Sequence, residues 1–201
     1  MKLLRSPIEI FSRRAILAAT LVASGWFIDY AVAQPAQPNA ALKAFETLRS
    51  VLQHPRCQNC HIPGDAPLQG DERRTHDQYV ARGTDGRGNA VMHCQLCHTD
   101  NNLPATYGAH VPPGAPNWRL PPPGMKMVFI GLTPRALCRS IKDRRATGGK
   151  DLNAMLAHVR DDQLVAWGWM PGEQRTVPPA TRAETVSAFR NWIDAGAPCP
   201  I

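Results

Sequence analysis

The sequence predicts a mainly helical chain in which a few helices are joined by long proline- and glycine-rich loops around two copies of one short motif. Three observations carry this reading. Four segments repeat apolar residues at the helical period. Nineteen prolines and fifteen glycines in 201 residues leave stretches that no regular element can occupy. Finally, Cys57-Gln58-Asn59-Cys60-His61 returns as Cys94-Gln95-Leu96-Cys97-His98. With 43% hydrophobic residues the chain can bury a modest core, but 6% aromatic residues leave that core short of bulk of its own.

The first helix is expected over 40–53, with Asn39 as N-cap and Leu42, Phe45, Leu48 and Leu52 on one face. His54-Pro55 ends it. Residues 62–93 hold Pro63-Gly64, Pro67 and a glycine-rich run from Gly83 to Gly88, and read as loops with at most a turn of helix. From Leu103 to Gly124 proline and glycine favour extended, stiff backbone. Thr133-Pro134 then opens a helix through Leu137 and Ile141 that stops before Gly148-Gly149. Asp151 caps the next, whose Leu152, Met155, Leu156 and Val159 form a core stripe. Thr181-Arg182-Ala183-Glu184 is a capping box, and Val186, Phe189, Trp192 and Ile193 give the last helix its apolar face before Gly196.

Two thiols three positions apart, with a histidine directly after the second, are the pattern of covalent haem attachment. The thiols form thioethers to one porphyrin edge and the histidine ligates the iron. Cys57, Cys60 and His61 are thus assigned to one haem c, and Cys94, Cys97 and His98 to a second. A zinc ribbon would place roughly 15–20 residues between its two cysteine pairs, and Cys60 to Cys94 is far longer. No strand-helix-strand pattern accompanies the pairs, as a thioredoxin-like dithiol requires. The motifs begin 37 residues apart, whereas a separate domain for each haem would need about 100 residues. Both haems therefore belong to one domain, expected over 34–201.

Residues 1–33 read as an export signal. Lys2, Arg5, Arg13 and Arg14 precede an apolar run from Ala15 to Ile28, and Ala31-Val32-Ala33 offers a cleavage site. The run is short for a membrane span, which needs about 20 residues, so no stable span is expected after cleavage and the mature chain is placed in the periplasm. Ser12-Arg13-Arg14 also resembles a twin-arginine signal. Attachment of haem to an unfolded chain after export removes the reason to carry a folded protein across. The formal charge of +7 includes +2 from the signal. The propionates of two haems bring the remainder close to neutral, so the charge gives a nucleic-acid function no support.

Cys138 and Cys199 remain once the motifs are counted, and an oxidising compartment predicts a disulfide between them. Among candidate sixth ligands, Met170 stands in Trp167-Gly168-Trp169-Met170-Pro171-Gly172, where irregular backbone could present sulfur to the second iron. His158, off the apolar stripe of its helix, is the alternative at that iron. His54, three residues before Cys57, could reach a haem or orient the loop. His76, His93 and His110 lie in loop sequence and read as exposed or hydrogen-bonded histidines.

The helix leading into the first motif, the segment Pro123-Gly124-Met125-Lys126-Met127-Val128-Phe129-Ile130-Gly131 and the terminal helix together resemble class I cytochromes c. The resemblance implies first and last helices crossing beside a haem, and makes Met127, 66 residues beyond His61, the sixth ligand of the first iron. The wider pattern, with Leu52-Gln53-His54-Pro55-Arg56-Cys57 and Trp167-Gly168-Trp169, resembles short dihaem proteins often labelled isoquinoline 1-oxidoreductase subunits. That label implies partnership with a molybdenum hydroxylase system; no residue here is expected to hold a molybdopterin.

The expected function is one-electron transfer from a dehydrogenase to another cytochrome or an oxidase, with two irons matching a two-electron donor. It is not itself an enzyme on this reading. The rivals are a dihaem peroxidase and a haem-based gas sensor, each of which needs an open or displaceable iron position. Known dihaem peroxidases resemble two full cytochrome domains in tandem, more than this length contains.

Overall fold

The computed structural model describes residues 38–108 and 111–201. The expected export signal and His110 lie outside the described residues. Helix α1 spans Pro38–Leu52 and the short helical turn α2 spans Pro55–Gln58. The helix opens at Pro38 instead of being capped by Asn39, because proline's fixed φ suits a first helical position and its missing N–H costs nothing there. After α2 come two small antiparallel hairpins, β1 (Leu68–Gln69) with β2 (Arg74–Thr75) and β3 (Gly88–Asn89) with β4 (Met92–His93). Helices α3 (Pro134–Lys142), α4 (Leu152–Asp161), α5 (Gln163–Trp167) and α6 (Arg182–Asp194) complete the described chain. The architecture is mainly helical with a few short strands, as the sequence predicts.

Caps set the helix starts. Thr133 Oγ1 accepts from Ala136 N at 3.2 Å, and Pro134 follows it at the first helical position. Asp151 Oδ1 accepts from Ala154 N at 2.8 Å. At α6, Thr181 Oγ1 accepts from Glu184 N at 3.2 Å while Glu184 Oε2 accepts from Thr181 N at 2.8 Å, closing the predicted capping box. Each cap satisfies backbone donors that the helix itself cannot.

Helix α6 packs along α1 and α4, and α3 packs on α1 and α4. Phe45 of α1 meets Trp192 of α6 with ring centroids 5.4 Å apart, and Phe189 lies 5.8 Å from the same indole. Phe45, Leu48, Leu137 and Trp192 are fully buried, and Trp192 Nε1 donates to Pro198 O at 2.8 Å. Burying a side chain of this size contributes roughly 1.5–3 kcal/mol, so the first and last helices hold each other. Cys138 of α3 is disulfide-bonded to Cys199 with Cα atoms 5.6 Å apart, tying the C-terminal segment to the same core.

Between α2 and α3 hydrogen bonding falls largely to side chains, because residues there have little regular structure in which to pair their backbone groups. Arg82 is 1% exposed. Its Nη2 donates to Gly64 O at 2.9 Å, its Nε to Asp65 Oδ1 at 3.1 Å, and its Nη1 to Pro121 O. One guanidinium thereby ties the loop after His61 to the proline-rich segment. Among the described residues no helix is long and apolar enough to cross a membrane.

Candidate functional site

The first motif begins in α2 and continues through the three residues after it. His54 Nδ1 accepts from Arg56 N at 3.3 Å, and Pro55 follows as the first helical residue. One helical turn then separates Cys57 from Cys60, with Cys60 N donating to Cys57 O at 3.3 Å and His61 N to the same oxygen at 3.1 Å. All three side chains line a cavity of about 440 Å³, within the size range of small-molecule and cofactor sites. Its other walls come from α1 (Leu48, Val51), α4 (Met155, His158), α5 (Trp167), α6 (Phe189) and the loop residues Trp118, Met127 and Phe129.

His61 is fixed from behind. Its Nδ1 donates to Met127 O at 2.9 Å, with Lys126 O at 3.3 Å, and its ring stacks on Phe129 at 4.1 Å. Carbonyl acceptors oblige Nδ1 to carry the proton, which leaves a lone pair on Nε2. Burial pushes the imidazole pKa down to about 4 against the opposing pull of the two carbonyls. The ring is therefore neutral at pH 7, the state in which histidine binds metals. Burial raises the Cys57 thiol to about 12, and burial with neighbouring Cys94 raises Cys60 to about 11. Neither thiol is shifted toward the lowered pKa that a redox dithiol of the thioredoxin kind needs.

The second motif repeats the construction on a different scaffold. Hairpin β3–β4 hands over to a 3-10 turn at Cys94–Leu96, where Cys97 N donates to Cys94 O at 3.2 Å and His98 N to the same oxygen at 2.9 Å. His98 Nδ1 donates to Pro113 O at 2.7 Å, and its ring lies parallel to Trp118 at 4.3 Å. Burial pushes this imidazole also down to about 4. Two glycines allow the surrounding backbones to close in. A Cβ on Gly114 would stand 2.1 Å from Asn101 O, and one on Gly86, whose φ is +87°, would stand 2.0 Å from Leu120 O. Gly114 lets the proline strand lie against the segment after His98, which aims Pro113 O at the ring. Leu120 N donates to Gly86 O at 2.8 Å, which holds the Trp118 segment in place.

The two motifs differ in exposure. Cys57 and Cys60 face the cavity, whereas Cys97 is exposed and Leu96 is 68% exposed. The charge repulsion that Cys94 exerts on the Cys60 thiolate marks the two motifs as neighbours. Among the described residues, no three His, Cys, Asp or Glu side chains gather as a site for a bare metal ion.

Met127 lines the cavity together with His61, offers that ring its carbonyl as hydrogen-bond acceptor, and adopts a left-handed backbone with φ of 47°. Met170 is 68% exposed and outside the cavity wall; its carbonyl accepts from Asn102 Nδ2 at 2.8 Å. Met155 is core, as predicted, with one side on the cavity. His158 lines the cavity that Cys57, Cys60 and His61 also line. Its Nδ1 stands 3.2 Å from Asp162 Oδ2, and this hydrogen bond holds the Asp162 carboxyl below the usual carboxylate range. His54 is a helix cap, with Nε2 3.4 Å from Thr176 Oγ1. His93 is exposed on β4.

Three site residues had no distinguishing signal in the sequence. Arg56 is buried in the cavity wall, paired with Asp71, with Nε lacking any partner and its guanidinium 5.9 Å from the Trp167 ring. Trp118 borders the first cavity and stacks on the second motif's histidine. His76 stands with its ring centroid 6.0 Å from that of His98. Only Arg56, adjacent to Cys57, could have been suspected from position. No family model, curated protein or solved structure matches this chain, so its own geometry carries the functional reading.

Proposed function

We propose that this chain is a dihaem c-type cytochrome, with cytochrome c-like helices around two covalently attached haems, that carries electrons in the periplasm. Its partners on this reading are a dehydrogenase as donor and a cytochrome or oxidase as acceptor. The observation that carries the proposal is the duplicated local construction. At both motifs a turn sets two thiols beside a histidine, a loop carbonyl accepts a hydrogen bond from Nδ1, and an aromatic ring stacks on the imidazole. Such an arrangement fixes tautomer and ring orientation and raises the basicity of Nε2, as ligating histidines require.

The residues present fit haem c. Cys57 and Cys60 would anchor the first and Cys94 and Cys97 the second, with His61 and His98 as axial ligands. When bound, haem supplies reversible one-electron iron chemistry. The first cavity offers apolar walls from Leu48, Val51 and Phe189. Arg56, a buried cation with an unpartnered donor, suits a carboxylate-bearing ring. Helices α1 and α6 line the same cavity, in keeping with the class I resemblance. Lys150 and Arg119 at its border add positive charge where propionates or an acidic partner would approach.

Intact mass of the exported, purified protein tests the proposal. The expected result is a polypeptide beginning at Gln34 plus two covalently bound haems, surviving acid-acetone extraction. A single haem, a zinc adduct or free alkylatable thiols at the four motif positions would overturn it.

A further inference from the structure

We propose that each iron is held between two histidines, the first by His61 and His158 and the second by His98 and His76. The inference rests on the dihaem reading and supplies the ligands that reading lacks.

At the second motif the geometry is direct. Two iron–nitrogen bonds of about 2 Å, typical of imidazole on a first-row metal, plus roughly 1 Å from each nitrogen to its ring centre, put the centroids of trans imidazoles about 6 Å apart. His76 and His98 have centroids 6.0 Å apart, with ring planes inclined at 64°. Imidazoles on a shared axis are free to rotate about it, so the inclination is compatible with an iron between them. Each ring already spends Nδ1 on a backbone carbonyl, His98 on Pro113 O at 2.7 Å and His76 on Asp77 O at 2.7 Å. Among the described residues Nε2 of each has no hydrogen-bond partner. His76 is positioned by structure on both sides. It follows β2, its N–H donates to Pro67 O at 2.9 Å, and it opens the 3-10 turn Asp77–Tyr79. The hairpin β1–β2 therefore has a role as the arm that holds His76 over the second motif.

At the first motif His158 faces the cavity from α4 while His61 faces it from the chain after α2. Asp162, one turn on, accepts from Nδ1 of His158 and leaves Nε2 for the cavity. Of the methionines that share this cavity, Met127 and Met155 sit among buried apolar side chains, and the Met125 sulfur lies 2.1 Å from where a Cβ on Gly148 would be. Two histidines at each iron leave no open position, which favours a carrier over a peroxidase or gas sensor.

Spectroscopy of the holoprotein tests this without any substitution. The ferric wild type is expected to be fully low-spin, to lack the red charge-transfer band of methionine-ligated haem, and to bind no carbon monoxide when ferrous. That band in wild-type protein, or carbon monoxide uptake by it, would overturn the assignment. His76→Ala and His158→Ala, each verified by mass to retain two haems, are expected to take up one carbon monoxide per chain and to lose about half of the low-spin signal. Added imidazole should restore six-coordination, and His93→Ala should behave as wild type. A two-haem His76→Ala protein that stays low-spin and inert to carbon monoxide would remove His76. The same outcome at His158 would remove that ligand. A wild-type protein with fewer than two haems would instead fail the dihaem reading itself. The wild-type spectrum decides the matter even where a variant does not fold.

Discussion

Arg82 carries more of the loop region than any apolar side chain near it. Its guanidinium reaches the carbonyls of Ile62, Gly64 and Pro121 and the Asp65 carboxylate, and Lys126 Nζ joins the same carboxylate at 2.9 Å. Removing it would orphan buried acceptors, and each buried group left unpaired costs about 1–3 kcal/mol. Arg82→Met is therefore expected to destabilise by about 3 kcal/mol in urea titration of the holoprotein, mainly through the midpoint. A midpoint within error of wild type would show those carbonyls to be hydrated. At this scale the motif histidines and cysteines stood out in the sequence because one five-residue pattern occurs twice. His76 did not, since its meeting with His98 depends on two hairpins that bring together positions 22 residues apart. The carbonyl of Met127 against His61 was not legible either, since sequence does not say which atoms a short loop presents.

Among the elements, the four helices with apolar periodicity and a recognisable start appear close to where periodicity and capping residues put them. α6 is the clearest case, since Thr181 and Glu184 satisfy each other's backbone donors. Neighbouring Thr181 holds the Glu184 carboxyl below the usual carboxylate range. Thr181→Ala is expected to cost about 1 kcal/mol, the usual price of a lost N-cap oxygen. Equilibrium unfolding followed by circular dichroism would measure it, and an unchanged stability would mean that packing alone holds the first turn. The hairpins were read as loop because strands of two residues are too short to display alternation. Helix α5, with five residues, falls below the length at which helical period can be recognised. What orders these pieces is tertiary: Asp162 Oδ1 caps α5 by accepting from Leu164 N at 2.9 Å, while the same carboxylate's other oxygen faces His158.

For the molecule as a whole, the Cys138–Cys199 bond secures the C-terminal half, as cysteine counting predicted. It closes a loop of 61 residues, for which the chain-entropy relation gives about 4 kcal/mol. Cys138→Ser with Cys199→Ser is expected to lower stability by about 2–4 kcal/mol and, on the dihaem reading proposed above, to leave both haems attached. Chemical denaturation and intact mass would report the two parts of that statement separately. Loss of haem attachment in this variant would mean that the bond also organises the motifs. The fold class was readable because Pro134, Asp151 and Thr181 mark helix starts. The route of the chain between α2 and α3 was not, because side-chain knots such as Arg82 set it.

Trp118 links the two motifs of this arrangement. Its indole lies flat on His98 at 4.3 Å, meets Trp167 at 4.8 Å, and borders the cavity that His61 faces. A conjugated ring thus occupies the ground between a solvent-facing site and an enclosed one, where water would otherwise separate them. On the cytochrome reading the chain is a small relay, in which aromatic contacts through Trp118 join the exposed motif to the cavity of the other.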